Sequence, residues 1–222
     1  DPVSLDCFCK KEGVMVRSGI SCFKRCLVFV CVVPLLLVGM YQTYVFGGLA
    51  KVEKTGQITS YSATGGEDGD LQKGVAWPNP RFTDNGNGTV TDRLTKLIWL
   101  KNANAFGLRT WEQALANANT LASGSAGLTD GSVAGDWRLP NVKELQSLID
   151  FAYANPALSN AAGTGQWTNG NPFIGVQSGY YWSGTTDSAG TAGAWHVTLY
   201  GGGVYYGGKA FTYYVWPVRA GK

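Results

Sequence analysis

The chain's one histidine, His196, stands in the run Trp195-His196-Val197-Thr198-Leu199-Tyr200. An imidazole can act as a general base or bind a metal, but each role needs partners. A Ser-His-acid relay would have to be built on His196 alone, and a lone histidine between two apolar strand residues is more often a packing or surface residue. All five cysteines, Cys7, Cys9, Cys22, Cys26 and Cys31, precede residue 50, and Cys7-x-Cys9 has neither the spacing nor the neighbouring histidine of a zinc site. No metal site and no cofactor is expected. Carboxylates are the chemistry that is left. A glycosidase needs a pair roughly 5–10 Å apart, a separation that spacing along the chain does not reveal. Asp136, Asp150 and Asp187 are the nominal members of such a pair, although Asp136 and Asp150 adjoin helix termini that account for them. Glu67-Asp68-Gly69-Asp70 does not match a calcium loop, and Asp84-Asn85-Gly86-Asn87-Gly88 has glycine at the third and fifth ligand positions of an EF-hand. No residue is expected to be catalytic.

The C-terminal segment offers binding chemistry instead. Gly179 to Arg219 holds seven of the eleven tyrosines and three of the eight tryptophans, with Asp187, Lys209 and Arg219 as its charges. Alternation along a strand puts neighbours on opposite faces. Trp195, Val197 and Leu199 claim a buried face, so His196, Thr198 and Tyr200 are expected to point out. Gly201-Gly202-Gly203 and Gly207-Gly208 turn the chain and bring Tyr205 and Tyr206 beside that face or its rim. Together with Lys209, Phe211 and Tyr213 these residues are the expected ligand surface. Tyrosine gives large contact area at low entropy cost, and an exposed aromatic patch calls for a partner. Lys209, between Gly208 and Ala210, is the cation suited to an acidic ligand. The competing reading is an ordinary aromatic sheet that needs glycine for its turns.

The elements that must position these residues are legible. Arg81-Phe82-Thr83 and Thr89-Val90-Thr91 flank two Asn-Gly steps, a hairpin signal. Leu97-Ile98-Trp99-Leu100 reads as a buried strand. Thr110 with Gln113 forms a capping box, and Trp111, Ala114, Leu115, Ala118 and Leu121 recur at helical spacing. Asn141 with Glu144 caps a second helix whose core face is Val142, Leu145, Leu148, Ile149 and Ala152. Capping thus explains Glu144. Arg138 and Arg219 adjoin apolar anchors and are expected to fix chain ends by bonding carbonyls or an acid. Residues 157–178 form a long Gly, Asn, Thr loop, read as a functional or semi-ordered excursion. Strands are expected at Tyr180–Ser183, Ala194–Leu199, Val204–Tyr206 and Tyr214–Arg219, with Trp137, Trp182, Trp195 and Trp216 in the core.

The 222 residues suit one domain plus appendages, and many glycines and aromatics with few charges favour an extracellular β-rich domain. The formal net charge is +3, with no concentrated basic stripe, which argues against nucleic acid as a partner. At the N-terminus, Arg17, Lys24 and Arg25 precede a stretch without charge from Leu27 to Ala50. A basic region, an apolar core and Gly48-Leu49-Ala50 make a secretory signal peptide. The uncharged stretch exceeds twenty residues, so an uncleaved hydrophobic membrane helix also fits. Met15 resembles a start, which would leave residues 1–14 untranslated. Residues 51–77 read as a linker or loosely packed lead-in, and residues 78–222 as the domain. Export places the protein outside the cell or on its surface, with membrane contact only through the N-terminal segment.

An ordered set of motifs carries a family resemblance. Arg81-Phe82-Thr83-Asp84-Asn85-Gly86, Thr89-Val90-Thr91-Asp92, Leu97-Ile98-Trp99-Leu100, Asp136-Trp137-Arg138-Leu139-Pro140-Asn141 with Glu144-Leu145, Tyr181-Trp182-Ser183 and Val215-Trp216-Pro217-Val218-Arg219 occur in that order. Over roughly residues 66–222 the chain resembles the bacterial secreted family called the Lcl C-terminal domain. The resemblance implies an α+β, C-type-lectin-like fold with two helices and a small twisted antiparallel sheet. It implies a non-catalytic surface adhesin that binds a glycan or a cell-surface protein. Some relatives are variable proteins of diversity-generating retroelements, and the tyrosine-rich segment resembles their diversified region. Many relatives carry cysteines where Ala105 and Ala126 stand here, and a small residue where Lys96 stands. The formylglycine-generating enzymes resemble the wider fold, but their cysteine pair has no counterpart after residue 50, so that activity does not carry over. The alternative functions are a glycan- or wall-acting enzyme with a carboxylate pair and a membrane-anchored structural subunit.

Overall fold

The computed structural model describes residues 7–11, 14–18 and 52–220. The chain divides into two compact units, residues 1–50 and residues 51–222. In the first, β1 (Cys7–Lys11) and β2 (Val14–Ser18) form an antiparallel hairpin with Cys7 opposite Ser18. The apolar stretch expected as a signal peptide or membrane helix lies outside the described residues. Among the described residues no helix is long and apolar enough to cross a membrane.

The second unit is α+β, with short helices and antiparallel-rich sheets. It opens with a single turn, α1 (Asp68–Leu71). The first sheet grows from the Asn-Gly hairpin. β3 (Phe82–Asp84) and β4 (Thr89–Asp92) are joined by a turn in which Gly86 and Gly88 take φ values of 73° and 84°. Only glycine adopts such angles without steric cost. The Asp84 carboxylate accepts from the Gly86 amide at 3.0 Å and pairs with Lys101 at 2.6 Å, so it is a turn residue. β5 (Leu97–Leu100) and β11 (Val218–Ala220) complete a four-stranded sheet in the order β11-β5-β4-β3.

The second sheet has five strands, β6 (Leu108–Arg109), β7 (Tyr180–Thr186), β8 (Gly193–Thr198), β9 (Val204–Gly208) and β10 (Tyr213–Tyr214), in the order β6-β10-β7-β8-β9. Its pairings are antiparallel except β10 with β7. The expected single strand Tyr214–Arg219 is therefore two strands in two sheets. Pro217, which has no N–H to give a ladder, lies between them.

α2 (Trp111–Thr120) carries the expected capping box, with the Thr110 hydroxyl accepting from the Gln113 amide and the Gln113 side chain accepting from Thr110 N. α3 (Val142–Gln146) has the same box on Asn141 and Glu144. It ends earlier than its apolar spacing predicts. The amides of Asp150 and Phe151 donate to Ala157 and Thr55, outside any helix. Leu148 and Ile149 are still buried, carried into the core by the turn that follows.

Between the sheets lies the main core. Trp99 and Trp216 meet edge to face at 5.6 Å, and Phe173 packs on Trp216 at 4.9 Å and on Phe82 at 5.1 Å. Phe173 corrects the reading of residues 157–178. That segment is not an excursion, since Ala157, Leu158 and Phe173 are fully buried and Ile149 bridges Leu158. A second cluster under α2 joins Trp111, Ala114 and Ala118 to Trp182, Ala194 and Val215. Trp137, Trp182 and Trp216 are buried as expected, but Trp195 is only half-buried. The lead-in is tied to the domain: the Phe151 amide donates to the Thr55 carbonyl at 2.9 Å, and Gln57 Nε2 donates to the Phe151 carbonyl at 3.3 Å. Arg138 makes a two-pronged pair with Glu144, each contact 2.7 Å, and Arg219 pairs with Asp130 at 3.1 Å over the Trp137 ring.

Candidate ligand-binding face

Cross-strand register decides which side chains share a face of the second sheet. Trp182 stands opposite His196, His196 opposite Tyr205, and Tyr180 opposite Thr198. Directly opposed residues point to the same side, so Tyr180, Trp182, His196, Thr198 and Tyr205 form one face. Tyr213 joins it from β10, its ring 4.5 Å from both Trp182 and His196. α2 covers the Trp182 end of this face. Trp111 donates from Nε1 to the Ser183 carbonyl at 2.9 Å, and Trp182 is fully buried. The other end is open. Tyr180 is 44% exposed, Tyr205 53% and Phe211 60%.

Alternation along β8 holds, but the inference from it to exposure does not. His196 is buried, as a floor beneath Tyr180, Tyr205 and Tyr213, at centroid distances of 4.9, 6.2 and 4.5 Å. Both faces of this sheet are covered, one by the main core and one by α2 and its own aromatic rings, so parity alone does not separate inside from outside. Gly207 permits the closure. A Cβ there would lie 3.0 Å from the Tyr213 hydroxyl and 3.2 Å from His196 Cε1. Nδ1 of His196 has no hydrogen-bond partner, and burial pushes the imidazole pKa below its ordinary value. Burial likewise pushes the Tyr213 hydroxyl up, with Tyr180 adding to it.

Of the expected surface, His196, Tyr205, Phe211 and Tyr213 come together. Tyr206 lies on the opposite face, 5.9 Å from Trp195. Tyr200 is exposed beyond the end of β8. Thr198 is half-buried, its hydroxyl donating to the Ser178 carbonyl and accepting from Tyr200 N at 3.1 Å. Lys209 keeps its charge but leans over an aromatic ring. Its Nζ sits 3.9 Å from the Trp111 ring centroid. Tyr180 was missed. Its two-residue spacing from Trp182 was the available signal, and only the register with β8 turns that spacing into proximity to His196.

The nominal carboxylates are each engaged locally. Asp136 accepts from Val133 N at 3.0 Å, Asp150 from Ala152 N at 2.9 Å and Asp187 from Ala189 N at 3.1 Å. Burial raises the pKa of Asp150 despite the opposing pull of Arg81. Glu53 and Glu144 line a concavity of about 530 Å³. Burial pulls Glu144 upward, but its bonds with Arg138 and Asn141 outweigh that and leave it below the usual carboxylate range. An anchored, ionised carboxylate is a poor general acid. Among the described residues no group of three or more His, Cys, Asp or Glu side chains could hold a metal ion.

The profile of the Lcl C-terminal domain matches residues 88–219. The chain belongs to the Lcl C-terminal domain family. No curated protein matches it. The match takes in β4 to β10, most of β11, and helices α2 and α3, so every member of the aromatic face lies within the Lcl C-terminal domain. The Lys96 departure has a visible consequence there: this non-glycine residue takes φ 65°.

Proposed function

We propose that this Lcl C-terminal domain is a non-catalytic, extracellular ligand-binding module that presents Tyr180, Tyr205, Phe211 and Tyr213 to a glycan or a cell-surface protein. One observation carries the reading: three large rings, exposed by 44%, 53% and 60%, stand together on one side of a sheet whose other contacts are rigid core. Rings on a rigid scaffold contact a partner at low entropy cost. Two sheets with capped helices also suit the C-type-lectin-like fold implied by the family resemblance. Under this reading the exposed C-terminal positions are those a diversity-generating retroelement would vary while the buried tryptophans stay fixed. The test is a glycan and surface-protein array probed with the wild-type chain and with Phe211→Ala. Binding that is lost in the variant at unchanged melting temperature supports the proposal. Binding unaffected by removing exposed rings from this face sinks it.

Export is part of the same proposal and rests on Arg17, Lys24 and Arg25 before the uncharged stretch. Fractionation with N-terminal sequencing tests it. A mature terminus near Lys51 selects cleavage, an intact membrane-bound chain selects the anchor, and intact cytosolic protein overturns export.

A further inference from the structure

We infer that two copies of this chain join through β9, edge to edge and antiparallel, so that their five-stranded sheets become one continuous sheet. The inference goes beyond the ligand-binding reading and does not depend on it. It starts from the sheet edges of the second unit, where a strand without a neighbour leaves backbone N–H and C=O groups open to another chain. β11 is closed by Arg138, which exchanges backbone bonds with Val218 at 3.0 and 2.9 Å. β3 is closed by the Phe82 amide, which donates to the Ala161 carbonyl at 2.9 Å, and it carries the charge of Asp84. β6 has only two residues and carries Arg109. β9 has none of these protections. Its five residues, Val204–Gly208, include no charge and no proline, and its register with β8 runs without a bulge. Lys209 lies just beyond its end, with Nζ over the Trp111 ring.

The ladder shows which groups are open. Thr198 N donates to the Gly203 carbonyl and Lys209 N to the Ala192 carbonyl, both at 2.9 Å, so Tyr205 and Gly207 are the β9 residues that bond inward to β8. The amides and carbonyls of Val204 and Tyr206 point outward, and among the described residues they have no hydrogen-bond partner. A second copy fits this edge because the edge is complementary to itself. With Tyr206 on a two-fold axis, it stands opposite its own counterpart, Val204 opposite Gly208 of the second copy, and Tyr205 opposite Gly207 of the second copy. Each Tyr205 ring, on the His196 side, thus meets a residue without a side chain. The Tyr206 rings, 66% exposed and unused by the ligand face, form a cross-strand aromatic pair on the Trp195 side. No like charges oppose each other, since Lys209 falls opposite Gly203 of the second copy. The axis runs through the sheet, so both Tyr205 faces stay on one side, which lets two weak ligand contacts act together.

The test is sedimentation velocity of the full chain from micromolar to submillimolar concentration, with amide hydrogen exchange followed across β9. The wild type is expected to dimerise, and the Val204 and Tyr206 amides to exchange more slowly as the dimer forms. Tyr206→Lys sets two like charges on the axis and should weaken the dimer at least about tenfold; Tyr206→Glu should do the same. Mixing the two variants should restore the dimer, because lysine then faces glutamate. Tyr206 is exposed, so both variants should keep the fold, which circular dichroism checks. A wild-type chain that stays monomeric throughout the range overturns the inference. So does a dimer whose Val204 and Tyr206 amides remain unprotected, as association through another segment would leave them. A folded mixture no tighter than the single variants also overturns it. No ligand takes part in these measurements, so loss of the dimer leaves the ligand-binding reading standing.

Discussion

His196 and Tyr213 pack with ring centroids 4.5 Å apart at 53°, the imidazole underneath and the phenol above. Trp182 closes the cluster edge to face, 5.7 Å from His196 at 90°. The aromatic face is thus built on a buried, titratable floor. A charged imidazole in that position would lose its water, a cost that its bond to the Ala194 backbone offsets only in part.

Stability should depend on pH through this residue. The folded-state pKa of His196 is depressed, so the unfolded chain binds the proton more readily. The contribution is fully present above the unfolded value of about 6.5 and is lost as pH falls from there toward the folded pKa. Denaturant melts at pH 7.5 and pH 5 should show lower stability at pH 5, by more in the wild type than in His196→Phe. Equal pH dependence in the two chains would mean that His196 titrates normally.

Capping boxes, the Asn-Gly hairpin and the buried tryptophans are local signals, and each appears where the sequence puts it. The aromatic face is not local. Tyr180 and Tyr205 are brought together across His196 on β8, the strand between β7 and β9. Phe173 reaches the core from a segment with no periodicity at all, because isolated bridges and side-chain amides position it, as when Asn171 Oδ1 accepts from Ala161 N at 3.1 Å.

The tryptophans of the second sheet should separate by exposure. Trp182 is fully buried and donates from Nε1 to the Arg109 carbonyl at 2.9 Å. Trp182→Ala should cost about 3–5 kcal/mol, through lost burial and a cavity. Half-buried Trp195 should cost clearly less, about 1 kcal/mol. Chemical denaturation of both variants checks the order, and a larger loss at Trp195 would invert the assignment.

Arg81 is fully buried, with its guanidinium 4.0 Å from the Trp77 ring centroid and 4.7 Å from that of Phe82. It donates to the Ser147 carbonyl and lies 3.8 Å from Asp92, which is equally buried. Removing one member of a buried pair leaves the other charge without its partner. Arg81→Met should therefore destabilise by about 3 kcal/mol, and adding Asp92→Asn should recover part of the loss. A double variant that is simply additive would show that the two charges do not interact.

Lys96 follows the Asp92 turn with φ 65°, its amide donating to the Asp92 carbonyl at 2.8 Å. A left-handed backbone costs a residue with a Cβ roughly 1–2 kcal/mol. The side chain is exposed, so little packing is at stake. Lys96→Gly should raise stability by up to about 1 kcal/mol, the gain being reduced by the greater freedom of glycine in the unfolded chain. A calorimetric melting temperature that falls in the variant would mean that the lysine makes contacts worth more than the strain.

The two adjacent tyrosines of β9 should behave oppositely in binding. Tyr205 faces the His196 side and Tyr206 the Trp195 side, because neighbours on a strand point to opposite faces. They are similarly exposed, at 53% and 66%, so alanine at either should change stability by only about 0.5 kcal/mol. If the ligand sits on the face that also holds Tyr180 and Tyr213, Tyr205→Ala should weaken it by about 2 kcal/mol, as expected for an aromatic hot spot. Tyr206→Ala should leave affinity nearly unchanged. Titration of one array-identified ligand against both variants decides it. A loss confined to Tyr206→Ala would move the site to the Trp195 side of the same sheet.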